Sequence, residues 1–288
     1  MVSRYHEVYA QWRQDPEAFW AEAARAIDWF EPCDKVFDPN EGIYGRWFTG
    51  ASCNTCHNAL DRHVANGRAD QIALIHDSAI TGTKRSLTYA GLLREVVALA
   101  AVLSRHGVTK GDRVIIYMPM IPEAAVAMLA CARLGAIHSV VFGGFAAREL
   151  ATRIDDARPK LVISASCGLE PNRVVAYKPL LDEAIELSAH RPQHCVVLQR
   201  EQLQCDLIAG RDIDYAEAVA REKEAGTEVA CVPVAATDPL YVLYTSGTTG
   251  QPKGVVRDNG GHMVMLKWTM ENEFGVKPGE VFWAASDV

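Results

Sequence analysis

Two apolar runs, Arg113-Val114-Ile115-Ile116-Tyr117-Met118 and Ala136-Ile137-His138-Ser139-Val140-Val141-Phe142, flank the stretch Pro122-Glu123-Ala124-Ala125-Val126-Ala127-Met128-Leu129-Ala130-Cys131-Ala132. The first run is apolar at consecutive positions and rich in β-branched residues, the pattern of a strand buried on both faces of a parallel sheet. Pro122 suits the first turn of a helix, with Ala125, Met128, Leu129 and Ala132 expected to face inward and Gly135 to end it. Strand, helix and parallel strand in succession require a crossover, which is right-handed in almost all known sheets.

The same rhythm extends in both directions. Upstream, Gln71-Ile72-Ala73-Leu74-Ile75-His76 reads as a short strand, and Thr88 stands as an N-cap before Leu92, Val96, Leu99 and Leu103, with Gly107 as the stop. Downstream come a helix over 146–157, a strand over 161–164, a helix over 177–189 and a strand over 195–198. Residues 199–237 are more polar and read as a surface excursion with one helix over 214–223; its charges belong to a solvated face. The sheet resumes at Leu240-Tyr241-Val242-Leu243-Tyr244. The fold class expected is therefore α/β, a mostly parallel, doubly wound sheet.

Composition leaves that class open and closes others. Apolar residues make up 49% of the 288 and charged residues 23%, as in ordinary globular chains, so disorder is disfavoured. The 29 basic residues against 36 acidic ones give a net charge of −7, which argues against nucleic acid or an anionic membrane as partner. No apolar run approaches the roughly 18 residues that read as a membrane span. Residues 1–7 carry charge early instead of an apolar signal core, so the chain is expected to be cytoplasmic and its eight cysteines to be thiols.

Directly after the strand ending at Tyr244 comes Thr245-Ser246-Gly247-Thr248-Thr249-Gly250-Gln251-Pro252-Lys253-Gly254. Glycines let backbone N–H groups approach an anion, the hydroxyls of Ser246, Thr248 and Thr249 add donors, and Lys253 adds a mobile positive charge. This is not a P-loop: Pro252 precedes the lysine and Gly254 follows it, where that motif needs glycine and then Ser or Thr.

Taken whole, residues 244–254 resemble the phosphate-binding signature of the AMP-forming adenylating enzymes, the superfamily of acyl-CoA synthetases. Val255-Val256-Arg257-Asp258-Asn259-Gly260-Gly261-His262 is similar to the propionyl-CoA synthetase branch, and residues 54–63 and 141–145 also look like this short-chain group. The resemblance covers 5–288. It implies a lead segment over 1–65, mainly helical, and the N-terminal part of an adenylation domain over 66–288. Family members are roughly twice as long, so the chain resembles an N-terminal fragment.

The resemblance further implies ATP, Mg²⁺ and coenzyme A as the reaction's components, a short-chain acid such as propionate as the substrate, and acetate as the alternative. Thr245, Ser246, Gly247, Thr248, Thr249, Gly250 and Lys253 would hold the β- and γ-phosphates. Glu170, Pro171, Asn172 and Arg173 would lie beside the nucleotide end of coenzyme A, with Arg173 a partner for its 3′-phosphate. Groups that carry the adenylation chemistry are expected beyond Val288, and no resident metal site is expected. A non-catalytic remnant of such an enzyme is the reading from another class.

Cys53-Asn54-Thr55-Cys56-His57 also matches the pattern of covalent haem attachment, and Cys53, Cys56, His57 and His63 have spacings that zinc can use. Packing within the lead segment is the reading favoured over both. Trp12, Trp20 and Trp29 are expected to anchor lead-segment helices on the main body. With half of an active site in hand, the 288-residue chain alone is expected to release no pyrophosphate from ATP and propionate; a rate matching an intact homologue contradicts this.

Overall fold

A computed structural model describes residues 4–245 and 252–286. The lead segment contributes α1 (Tyr5–Gln14), α2 (Pro16–Ala24), the antiparallel pair β1 (Lys35–Asp38) and β2 (Arg46–Thr49), and β3 (Ser52–Cys53). An irregular helical stretch over 55–68 follows, broken at Gly67, where φ is +80°. Next come β4 (Ile72–Ser78), β5 (Thr83–Thr88), α3 (Tyr89–Arg105), β6 (Arg113–Met118), α4 (Pro122–Arg133), β7 (Ile137–Phe142), α5 (Ala147–Ala157) and β8 (Leu161–Ala165). The chain continues through β9 (Cys167–Glu170), β10 (Arg173–Ala176), α6 (Tyr177–Leu187), β11 (His194–Leu198), β12 (Asp212–Asp214), α7 (Tyr215–Glu224), β13 (Val234–Ala235), β14 (Pro239–Thr245), β15 (Lys253–Asp258) and α8 (Gly260–Asn272).

Seven strands form one sheet in the order β12-β11-β8-β6-β7-β14-β15, parallel throughout except for the antiparallel edge strand β15. Alternate residues of β6 point to opposite cores. Val114, Ile116 and Met118 join α3, α4 and α7, while Ile115 and Tyr117 join α5 and α6. The helices whose connections step toward β14 lie on one face, and those stepping toward β12 lie on the other, as a single handedness of crossover requires. Thr88 caps α3 by accepting the Gly91 N–H at 3.0 Å, and Pro122 opens α4.

Several expectations are corrected. The strand at 72–78 does not start the main sheet; it pairs with β5 in a separate hairpin. The polar excursion holds, besides α7, the short edge strand β12, whose Asp212 carboxylate is buried by Lys178 and Arg211. Ala125, Met128 and Leu129 are only half-buried, whereas Ala124, Ala127, Ala130 and Cys131 are fully buried, because α4 packs on α3 as well as on β6 and β7. Trp12 is not an anchor: α1 buries no residue, and Trp12 stacks on Tyr9 in the open. Trp20 and Trp29 do pack inward, against Trp47 and Trp268 and against Phe48.

The joint between lead segment and sheet domain runs through Asn54, which is wholly buried. Its amide donates to Ala132 O at 2.8 Å and Val232 O at 2.9 Å, and its carbonyl accepts the His57 N–H at 3.1 Å. Asn54→Ala leaves these backbone groups without partners in a dry site, so a loss of about 1–3 kcal/mol is expected. Urea unfolding of the two chains measures it.

Candidate functional site

In open α/β sheets the crevice for a ligand lies beyond the carboxyl ends of the strands, where the strand order reverses. Here β7 leaves β6 on one side and β8 lies on the other, so the reversal falls at the carboxyl end of β6. Strand β14 runs parallel beside β7 and points its last residue, Thr245, the same way. Thr245 faces Lys253 across the hairpin, and its hydroxyl is 3.5 Å from the Lys253 carbonyl oxygen. Ser246, Gly247, Thr248, Thr249 and Gly250 lie outside the described residues. Both ends of the expected phosphate loop thus leave one hairpin at the carboxyl edge of the sheet.

Beneath that hairpin is a network the sequence did not announce. Tyr117 and Tyr177 lie against each other, ring centroids 5.1 Å apart and planes tilted by 35°; Tyr117 donates to Phe145 O at 2.9 Å and Tyr177 to Gly143 O at 2.5 Å. Burial pushes both phenols up to about 12, so both remain donors at neutral pH. A Cβ on Gly143 would fall 2.5 Å from the Tyr177 ring, and one on Gly168 would overlap the same ring. Glycine is required at both places by close approach. Arg153 of α5, nearly buried, lies over Phe145 at 4.8 Å and over Tyr244 at 5.6 Å. Tyr244 donates to Asp156 at 2.5 Å. The turn after β7 and the strand that carries the loop are therefore fixed to the same helix.

The segment expected beside coenzyme A is the β9–β10 hairpin, turned by Pro171 and Asn172. Arg173 donates to its own neighbour there: Nε to Glu170 Oε2 at 2.7 Å and Nη2 to Oε1 at 3.0 Å. Both side chains are solvent-exposed, and each charge favours the other, holding Glu170 low and Arg173 high. A phosphate approaching Arg173 must displace Glu170. Lys178 points elsewhere; it is buried between Asp182 at 2.6 Å and Asp212 at 2.9 Å.

The cysteine and histidine quartet is not brought together. Cys53 packs with Phe48 and Val234, Cys56 packs in the core against α3 and α4, His57 faces Asp28, and His63 lies against Tyr89. Among the described residues no helix is long and apolar enough to cross a membrane.

A parallel sheet with a Gly- and Thr-rich loop at its carboxyl edge is the frame of a nucleotide-binding enzyme domain. The family model described as AMP-binding enzyme matches residues 60–288, and that of the acetyl-coenzyme A synthetase N-terminus matches residues 5–59. The chain belongs to the AMP-binding enzyme family. It is 52% identical over 275 residues to mitochondrial acyl-CoA synthetase short-chain family member 3 of Mus musculus, covering 95% of this chain and 40% of that one. It is 45% identical over 284 residues to the propionate–CoA ligase of Salmonella typhimurium, covering 99% and 45%. The solved acetoacetyl-CoA synthetase from Streptomyces lividans superposes with a TM-score of 0.82 at 28% identity, covering 93% and 40%. The chain thus spans less than half the length of these relatives.

Next to the hairpin, His138 of β7 is buried with its Nδ1 unpartnered, 5.6 Å from the Tyr241 ring, and burial lowers its pKa to about 4, His262 adding repulsion. Protonation favours the unfolded chain, whose imidazole titrates near 6.5. Neutral His138 contributes in full above that pH, and up to about 3 kcal/mol is lost as pH falls from 6.5 toward 4. Denaturation midpoints across that window are expected to fall less steeply in His138→Phe.

Proposed function

We propose that the protein carrying this chain is an AMP-forming carboxylate–CoA ligase that converts propionate, ATP and coenzyme A to propionyl-CoA, AMP and diphosphate through an acyl-adenylate. The observation that carries the reading is the hairpin mouth, where an exposed threonine and a lysine frame a Gly- and Thr-rich loop at the carboxyl edge of the sheet. Likeness to propionate–CoA ligases and the sequence of residues 255–262 support propionate. We also propose the division into a lead segment over 1–65 and an adenylation domain over 66–288, and cytoplasmic placement, although the mammalian relatives are mitochondrial by name.

The chemistry needs no protein nucleophile. The carboxylate of the acid attacks the α-phosphorus, diphosphate leaves, and the thiol of coenzyme A then displaces AMP. Residues 245–250 and Lys253 bind the β- and γ-phosphates, so the leaving diphosphate is held in line and its charge is offset. Mg²⁺, when bound, shares that neutralisation; the exposed Thr245 hydroxyl has the donor chemistry to face it, while Asp156 is taken by Tyr244. Tyr117, Tyr177 and Arg153 keep the adjoining turn from moving into the phosphate site.

The test is acid-dependent exchange of labelled pyrophosphate into ATP by the protein that carries this chain. Propionate is expected to support exchange at least several-fold better than acetate, and Lys253→Ala to lower it at least tenfold; acetate winning, or no exchange with either, overturns the reading. Separately, Glu170→Gln frees Arg173, so its preference for coenzyme A over dephospho-coenzyme A is expected to grow several-fold and to vanish in Arg173→Ala. Equal binding of the two nucleotides in every variant removes Arg173 from the site.

A further inference from the structure

We propose that Cys56 and Cys231 form a redox pair that closes to a disulfide under peroxide and locks the lead segment to the sheet domain. Cys56 lies at the start of the helical stretch that ends the lead segment; Cys231 lies on the extended chain between α7 and β13. Their sulfurs and a carboxylate oxygen of Asp61 all lie within 4.8 Å of one another. The backbones on both sides are pinned: Val232 N–H donates to Arg133 O at 2.8 Å, and Asn54 reaches both Ala132 O and Val232 O. Sulfurs this close leave a gap of under 5 Å to close, against a disulfide bond of about 2 Å.

The polar surroundings fit a thiolate better than a cation. Arg133, with its side chain nearly buried, donates to Cys56 Sγ at 3.5 Å, to Asp61 Oδ2 at 2.8 Å and Oδ1 at 3.0 Å, and to Val229 O at 2.6 Å. A metal ion among Cys56, Asp61 and Cys231 would lie against that guanidinium and compete with it for the carboxylate. The Cys231 sulfur also lies 3.6 Å from Asp61 Oδ2. The hydrogen bond with Cys231, and the charge and hydrogen bond of Arg133, outweigh burial and the Asp61 charge and hold the Cys56 thiol below its ordinary value. The other buried thiols, Cys53, Cys131 and Cys195, are pushed up to about 12 by burial.

Cys56 is wholly buried and Cys231 partly exposed, so the route open to hydrogen peroxide, close to water in size, is on the Cys231 side. The Cys56 thiolate attacks one peroxide oxygen, the O–O bond breaks, and the departing hydroxide takes a proton and leaves as water. Cys56 is then a sulfenic acid. The Cys231 sulfur attacks that sulfur, the S–S bond forms, the S–O bond breaks, and the hydroxyl leaves with the Cys231 proton as a second water. Two thiols are oxidised by two electrons and one peroxide is reduced to two waters. The bond joins segments far apart in the chain, which constrains the unfolded state most.

The experiment treats the 288-residue chain with hydrogen peroxide, alkylates the remaining thiols after unfolding, and maps peptides by mass without reductant. A Cys56–Cys231 linked peptide, two hydrogens lighter than the reduced pair and lost with dithiothreitol, is expected to be the first disulfide formed. The oxidised chain is expected to unfold several degrees higher than the reduced one. In Cys231→Ser, Cys56 is expected to stop at a sulfenic acid that dimedone traps. Recovery of both cysteines as free thiols while others oxidise overturns the proposal, as does one equivalent of zinc that shields both from alkylation.

Discussion

The central strand of the sheet has no face toward water. Val114 to Met118 are buried residue by residue, so each of these five side chains needs an apolar partner above or below the sheet. Only helices on both sides supply them, and helices on both sides are reached only by crossovers that return each strand in the same direction. Parallel strands place all their carboxyl ends at one edge. The position of the candidate site is thus a consequence of how β6 is buried.

What stands at that edge is held by polar contacts rather than by apolar packing alone. Two tyrosines in ring contact hold the Gly143–Phe145 turn through its carbonyls, and two glycines leave room for the Tyr177 ring. Arg153 and Asp156 tie the same helix to Tyr244, the residue before the threonine of the loop. A phosphate loop must present backbone N–H groups in a fixed arrangement if it is to stabilise charge without reorganising. Anchoring both the hairpin and its neighbouring turn to α5 supplies the rigid base. The β9–β10 hairpin, proposed to lie beside coenzyme A, differs, since its arginine is already paired with Glu170 and would exchange one partner for another.

The parts of this arrangement that the sequence revealed are those that depend on period and on local chemistry. The unbroken apolar run of β6, the Thr88 cap, Pro122 and the glycine stops can be read without knowing the fold. The short β12 was hidden because its Asp212 belongs to a buried ion-pair cluster, and charges read as surface until their partners are known. The roles of Tyr117, Tyr177 and Arg153 were equally hidden, because each is set by a contact across tens of residues. Arg173 shows the complementary limit: the family resemblance implied a phosphate partner for it, while the two-residue turn beside it places Glu170 opposite. Cys56 illustrates both, since its spacing to Cys53 suggested a ligand pair and the fold gives it Cys231 instead.

The central claim is that residues 245–254 grip the phosphates of ATP. Amide hydrogen exchange of the chain with and without MgATP addresses it directly, because a loop whose N–H groups point at phosphate oxygens exchanges more slowly when they are occupied. The account predicts slowed exchange centred on residues 245–254 with MgATP and not with adenosine. Protection elsewhere in the sheet with none in this segment, or equal protection by adenosine, would contradict it.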